Sequence, residues 1–200
     1  MGNKYQYIDP ELLYNNKNGV LHNIAKIDDE KVLIVFESFK VSKRIEELSE
    51  NPIKIKDSNS LLEIHHYLFQ DVYEWAGKVR TVNISKDGKP FFDGERFNMG
   101  FKYIDTLIAE YRFLDKTNRI EIANKLAQIL DTVNYLHPFR EGNGRTQREF
   151  LRLLALEKEL YLNLNPPDNK NIFERYMKGT IESNLNVLEV LIFELIETTK

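Results

Sequence analysis

The chain of 200 residues contains no cysteine, which excludes disulfide bonds and thiolate metal sites. It also lacks any apolar run near the roughly 20 residues that a membrane-spanning helix needs. The amino-terminal sequence MGNKYQYIDPELL is too polar for a signal peptide. From these absences we expect a protein of the reducing cytoplasm.

Neither sign of charge is in clear excess. The 28 lysines and arginines nearly balance the 31 aspartates and glutamates, and the formal net charge is −3. Binding to nucleic acid through overall positive charge is therefore disfavoured. Apolar residues make up 42% of the chain, which is too many for a disordered protein. We expect a single domain over residues 1–200 with a sizeable core.

Most of the chain has the apolar spacing of helices. A first helix begins at Asp28 or Asp29 and ends before Asn51-Pro52, and Asp57 or Ser58 caps a second helix that reaches Phe69. Five more are predicted at 97–114, 117–136, 146–160, 169–182 and 185–198. Residues 1–27 form an irregular lead-in, and Asp87-Gly88 predicts a short hairpin within about 80–92. The fold class is mostly α, with about seven to eight helices and one β-hairpin.

The segment His-Pro-Phe-Arg-Glu-Gly-Asn-Gly-Arg-Thr-Gln-Arg, residues 137–148, differs from the helices around it. Pro138 disfavours a helix through His137, so this histidine is expected at a helix end. Gly142 and Gly144 let backbone N–H groups approach a ligand. The next helix begins there, and a helix N-terminus attracts anions such as phosphate.

The side chains of this segment suit a nucleotide. Arg145 and Arg148 are three residues apart, so we expect them to share a face and bind phosphate oxygens. Glu141 offers an oxygen ligand to Mg²⁺, and His137 can accept a proton from a hydroxyl group. The pattern is not a P-loop, and the chain has no HExxH zinc motif. It predicts group transfer from a nucleotide with histidine as the base.

This segment is similar to the pattern HPFx[D/E]GNGRxxR of the Fic family (filamentation induced by cAMP) at every fixed position. The run DVYEWAGKVR at 71–80 resembles the family segment that leads into a hairpin called the flap. Residues 7–10 and 19–23 resemble the start of Fic toxins that work with a separate antitoxin. The likeness extends over about residues 5–190 and implies a Fic fold.

The resemblance implies a protein adenylyltransferase (AMPylator), which transfers AMP from ATP to a tyrosine, threonine or serine hydroxyl of a target protein. It implies that Phe139 anchors the loop in the core, and that the flap, about 82–92, docks the target as an added strand. The motif implies the remaining roles. His137 is the general base, and Glu141 binds Mg²⁺. Asn143 and the backbone around Gly142 and Gly144 form the anion hole, while Arg145 and Arg148 bind the β- and γ-phosphates.

Many Fic proteins are inhibited by a helix with the pattern [S/T]xxxE[G/N], whose glutamate pairs with the arginine that corresponds to Arg148. The pairs Ser42/Glu46, Thr106/Glu110 and Thr117/Glu121 have the spacing but lack the final Gly or Asn. The resemblance therefore implies a toxin inhibited by a small separate antitoxin, with inhibition through Glu46 as the alternative. Type II topoisomerases, namely DNA gyrase and topoisomerase IV, are the expected targets.

Two alternatives remain open at this stage. The transferred group could be UMP, phosphocholine or phosphate, although the kinase-type Doc relatives carry lysine at the position of Gly144. The chain could also be a binding module for nucleotide or a partner without turnover. The other histidines, His22, His65 and His66, are predicted to be structural or surface residues.

Overall fold

A computed structural model of the chain describes residues 6–7, 13–86 and 88–198. Within these residues it contains seven α-helices: α1 (Glu30–Glu50), α2 (Ser60–Phe69), α3 (Phe97–Phe113), α4 (Arg119–Leu136), α5 (Asn143–Leu156), α6 (Lys170–Glu182) and α7 (Leu185–Leu195). It also contains five short strands: β1 (Gln6–Tyr7), β2 (Ile84–Lys86), β3 (Lys89–Pro90), β4 (Leu160–Tyr161) and β5 (Glu197–Thr198). The predicted mostly α class is confirmed. No described helix has the length and apolarity needed to cross a membrane.

The start of α1 follows the sequence prediction, but the start of α2 does not. The Asp29 side chain accepts the N–H groups of Lys31 and Val32 and caps α1. The prediction of Asp57 or Ser58 as the cap of α2 is wrong, because the N-cap is Asn59. Asp57 instead accepts the N–H of Asn59 at 2.8 Å in the turn before the helix.

Two predicted helices end early because their last residues pair as strands. We expected helices to 160 and 198, but α5 ends at Leu156 and α7 at Leu195. The residues beyond them form β4 and β5, which pair antiparallel with Leu160 opposite Thr198. This pairing joins positions far apart in sequence, so helical periodicity does not reveal it.

The predicted hairpin is present but shorter than expected. β2 pairs with β3 in antiparallel register, with Lys86 opposite Lys89. Asp87, which we expected in the turn, lies outside the described residues. β1 pairs with the other edge of β2 and makes a three-stranded sheet in the order β1-β2-β3. Of the predicted lead-in, residues 1–5 and 8–12 also lie outside the described residues.

Helix α4 lies at the centre of the packing and contacts α3, α5 and α7. Most of its apolar side chains are buried, and Leu126 and Leu130 are fully so. Helix α2 packs against α5 and α1. The loop between α4 and α5, residues 137–142, is therefore surrounded by helices, and the motif lies at the end of the core.

Candidate active site

The loop between α4 and α5 requires left-handed backbone at both ends. His137 ends α4 with φ 45° and ψ 58°. Gly142 precedes α5 with φ 82°, which favours glycine. A Cβ atom on Gly142 would also lie 2.3 Å from the ring of Phe69. Backbone conformation and packing thus both require glycine at position 142.

The Asn143 side chain closes the loop. Its Oδ1 accepts the N–H of Phe139 at 2.9 Å, and its Nδ2 donates to the carbonyl of Phe139 at 2.7 Å. Phe139 is buried, as the resemblance to the Fic family implied. The Asn143 amide is therefore engaged within the loop, which differs from the expectation that it faces a phosphate.

His65 of α2 supports the same loop from behind. Its Nδ1 accepts the N–H of Gly77 at 2.8 Å, so Nε2 carries the proton and donates to the carbonyl of Glu141 at 3.0 Å. The ring stacks on Phe139 with centroids 3.8 Å apart. Burial lowers the pKa of His65 to about 3, so the imidazole is neutral at pH 7. These contacts give His65 a structural role.

Arg80 joins the loop to the flap, and sequence reasoning gave it no role. Its Nε donates to the carbonyl of His137 at 2.9 Å, and its Nη1 donates to the carbonyl of Val82 at 2.7 Å. Burial lowers the pKa of Arg80 to about 10, so it remains charged at pH 7. The only sequence signal was an arginine inside an otherwise β-branched run.

His137 is buried, and its tautomer is set by the backbone. Its Nδ1 lies 3.0 Å from the carbonyl oxygen of Asn134. A carbonyl only accepts, so Nδ1 carries the proton and the lone pair is on Nε2. Burial lowers the pKa of His137 to about 3, so the ring is neutral at pH 7. The ring stacks on Phe91 of the flap with centroids 3.8 Å apart.

A pocket of about 340 Å³ lies beside His137, within the size range of small-molecule sites. The flap, the end of α4, the first turns of α5 and the C-terminal half of α6 form its walls. Its polar and charged lining residues are Lys86, Lys89, Asn134, His137, Gln147, Arg148, Thr180 and Ser183. Two lysines and an arginine with no acidic lining residue favour an anionic ligand.

Arg148 lies at this pocket and is held by aromatic rings. Its guanidinium lies 5.4 Å from the ring centroid of Phe173 and 5.3 Å from that of Tyr176. A Cβ atom on Gly144 would lie 3.3 Å from Arg148 Nη1, so glycine gives the guanidinium its space. Within the described part of the chain Arg148 forms no ion pair. Its charge is thus available to an anion.

The glutamates with inhibitory spacing do not pair with Arg148. Glu46 is exposed on α1, and Glu121 is exposed on α4. The carboxylate oxygen Oε2 of Glu110 instead accepts a hydrogen bond from Nζ of Lys125 at 2.6 Å.

Arg145 does not line the pocket and contacts α1 and α2 instead. Its Nη2 lies 2.6 Å from Oε1 of Glu37 on α1, and its guanidinium lies over the ring of Phe69. The hydroxyl of Tyr73 donates to Oε2 of Glu37, and Trp75 stacks on Tyr73 with centroids 4.2 Å apart.

This placement differs from the expectation that Arg145 and Arg148 share a face. Three residues of helix separate two side chains by roughly 60° around the axis, and Glu37 draws Arg145 toward α1. Sequence reasoning missed Glu37, which lies about 100 residues before the motif and has no motif of its own.

Glu141 lies at the rim of the loop with its side chain one-third exposed. Its Oε1 accepts the N–H of Gly142 at 2.8 Å and lies 3.6 Å from Nη2 of Arg145. The described residues contain no group of three histidine or carboxylate side chains able to hold a metal ion. Glu141 is not among the residues that line the pocket, but its carboxylate lies next to the first residues of α5, and Mg²⁺ usually combines one or two carboxylates with substrate phosphates.

Comparison with known proteins agrees with this geometry. Residues 56–155, half of the chain, match the Fic/DOC family model. The chain belongs to the Fic/DOC family. It is 33% identical over 96% of its length to the protein adenylyltransferase VbhT of Bartonella schoenbuchensis, and spans 39% of that protein. It is 34% identical over 76% of its length to the probable protein adenylyltransferase y4lH of Sinorhizobium fredii, and spans 78% of that protein.

Solved structures share the fold. The Fic domain of a Bartonella quintana effector with bound ADP superposes with a TM-score of 0.80 at 24% identity, covering 94% of this chain and 95% of that one. BepC of Bartonella tribocorum with bound AMPPNP gives a TM-score of 0.80 at 21% identity, covering 94% of this chain and 98% of that one. At these identities the likeness establishes the Fic fold.

Proposed function

We propose that this Fic domain is a protein adenylyltransferase, which transfers AMP from ATP to a hydroxyl side chain of a target protein. The observation that carries the proposal is one pocket that combines a neutral histidine, a helix N-terminus and the guanidinium of Arg148. The names of VbhT and y4lH, both called adenylyltransferases, support the same activity.

The first turn of α5 would bind the phosphates. The first N–H groups of a helix have no partner within the helix, and the helix dipole favours an anion there. We assign this contact to the backbone of Asn143, Gly144 and Arg145, with Gly142 shaping the turn. The Arg148 guanidinium would bind the outer phosphates by paired hydrogen bonds. The Asn143 amide bonds to the backbone of Phe139 and the Arg145 guanidinium to Glu37, so both side chains hold the loop in place.

His137 would act as the general base. The hydroxyl oxygen of the target attacks the α-phosphorus while its proton moves to Nε2, where the lone pair lies. A bond forms between that oxygen and the α-phosphorus, and the bond from the α-phosphorus to the oxygen bridging the α- and β-phosphates breaks. Pyrophosphate leaves with the electron pair. Negative phosphates near the imidazole raise its pKa from the low value of the buried ring, so ATP itself makes the base stronger.

Glu141 is the residue we propose to hold Mg²⁺, together with the phosphate oxygens. When bound, Mg²⁺ supplies positive charge that offsets the charge on the phosphates. Glu141 is suited to this task because its carboxylate is fixed by the N–H of Gly142 and its side chain is one-third exposed.

The flap is the proposed docking site of the target. β1 pairs with one edge of β2, so within the described sheet β3 forms the edge nearer the pocket lining. An extended segment of the target would add to β3, with its hydroxyl directed at His137. We further propose that the protein acts in the cytoplasm on a type II topoisomerase, and that a small antitoxin inhibits it by supplying a glutamate to Arg148.

The experiment that tests this function compares ATP labelled at the α- or the γ-phosphate, with Mg²⁺ and bacterial lysate. Adenylyl transfer predicts a labelled protein band from the α label alone, which His137→Ala abolishes. His66→Ala is the matched control, because His66 is an exposed histidine outside the pocket. A band from the γ label alone would instead establish a kinase, and bound nucleotide without transfer would favour a binding module.

A further inference from the structure

One nitrogen atom of Arg145 lies between two carboxylates. Nη2 is 2.6 Å from Oε1 of Glu37 and 3.6 Å from Oε1 of Glu141. The first distance is that of a direct charged hydrogen bond, and the second is too long for one. Glu37 and Glu141 therefore compete for the same donor, and Glu37 holds it.

Contacts around Glu37 and Arg145 favour the pairing of Arg145 with Glu37 over its pairing with Glu141. The side chain of Glu37 is only 12% exposed, and the Tyr73 hydroxyl donates to its Oε2. The Arg145 guanidinium also lies 4.7 Å from the ring centroid of Phe69. A buried carboxylate requires compensating partners, so Glu37 retains both its arginine and its tyrosine.

We propose that Glu37 is a positioning residue that keeps Arg145 away from Glu141, so that the Glu141 carboxylate remains available to a divalent cation. The inference rests on the proposed function of Glu141. Without the charge of Glu37, Arg145 would be drawn the remaining 1 Å to the nearest carboxylate, that of Glu141. A cation would then have to displace an arginine before it could bind.

The test is Mn²⁺ binding to the full chain in the presence of AMP-PNP, measured by electron paramagnetic resonance. Glu37→Gln keeps the acceptor for Tyr73 but removes the charge, and we expect about tenfold weaker Mn²⁺ binding, the effect of one charge-assisted hydrogen bond. The double variant Glu37→Gln/Arg145→Gln removes the competitor as well and should bind Mn²⁺ as tightly as the wild type. A purely structural role predicts the reverse, with Mn²⁺ binding weaker in the double variant than in Glu37→Gln.

The matched control is Glu149→Gln, since Glu149 is 11% exposed and pairs with Arg152 at 2.8 Å away from the pocket. Its Mn²⁺ affinity should not change. Unchanged affinity in Glu37→Gln, or no recovery in the double variant, would overturn the proposal. Should Glu37→Gln lose the wild-type circular dichroism spectrum, Tyr73→Phe serves instead, because it removes the hydrogen bond that fixes the Glu37 carboxylate beside Arg145. The charge of Glu37 remains in that variant, so we expect a smaller weakening of about two- to threefold. An unchanged affinity in that variant would also overturn it.

The measurement does not depend on transfer activity. If no label is transferred but the double variant recovers Mn²⁺ binding, the positioning role stands and the proposed reaction fails. If label is transferred and the recovery is absent, the reaction stands and the positioning role fails.

Discussion

Two histidines of this domain have nearly the same environment and different roles. His65 and His137 are both buried, each stacks on a phenylalanine at 3.8 Å between centroids, and burial lowers the pKa of each to about 3. They differ in what the ring nitrogens contact. His65 uses both nitrogens to join α2 and the segment before the flap to the active-site loop, whereas the ring of His137 forms part of the pocket wall.

The comparison shows that burial and a shifted pKa do not by themselves identify a catalytic group. Both shifts have the same largest cause, the loss of solvent around the charged ring. The position of the lone pair separates the two residues. In His65 it accepts the N–H of Gly77, and in His137 it is on Nε2, opposite the nitrogen that faces Asn134.

The largest expected difference between the two histidines is in catalysis. His137→Ala should lower the transfer rate about 10²- to 10⁴-fold, the usual contribution of a general base. Its unfolding midpoint in urea should fall less than that of His65→Ala, because the ring of His137 borders the pocket and the Asn134 carbonyl that it leaves is only partly buried. The rate is measured with α-labelled ATP. A rate within threefold of wild type would remove His137 from the role of base.

His65→Ala should instead act on stability. It removes a fully buried ring and two hydrogen bonds, so we expect a loss of about 2–4 kcal/mol in the free energy of unfolding. Urea titration followed by circular dichroism measures it, with His66→Ala as the control. A stable His65→Ala protein with a lower transfer rate would contradict the division of roles.

Because both histidines are buried in the neutral form, we expect the folded domain to lose stability in acid. Their folded pKa of about 3 lies below the ordinary value of 6.5, so between these values the unfolded chain binds more protons. The contribution of the two neutral histidines to the free energy of unfolding is therefore fully present above pH 6.5 and decreases as the pH falls below it. From pH 7 to pH 5 each histidine should cost about 2 kcal/mol of unfolding free energy. His137→Ala should remove about half of this decrease, and an unchanged decrease would count against a buried neutral His137.

The smallest expected effect is a change in ATP affinity on substitution of Gly144, which lines the pocket. Gly144→Ala places a Cβ atom 3.3 Å from Nη1 of Arg148, so the guanidinium must move by a few tenths of an ångström. We expect ATP affinity to weaken by only about two- to fivefold, because the half-buried guanidinium stands at the end of a flexible side chain and can adjust. Isothermal titration measures it, with the thermal midpoint as a check of folding. A loss as large as that of Arg148→Ala would show that Gly144 has a role beyond giving space.

The sequence was informative where the signal is local. Helices have regular apolar spacing, and the motif lies in one continuous segment, so both could be predicted. Contacts between distant segments could not be predicted, including β1 with β2, β4 with β5 and Glu37 with Arg145. Residue spacing gives the direction of a side chain from its helix, but the partner that determines its position lies elsewhere in the chain.

The stacking of Trp75 on Tyr73 has a practical consequence. Trp75 is the one tryptophan of the sequence, and its ring lies 5.9 Å from that of His65 as well. Its fluorescence is therefore an intrinsic reporter for two residues that hold the active-site loop, Tyr73 through Glu37 and His65 through Glu141. Ligand binding in the pocket beside His137 can therefore be followed by the fluorescence of Trp75, without attaching a dye.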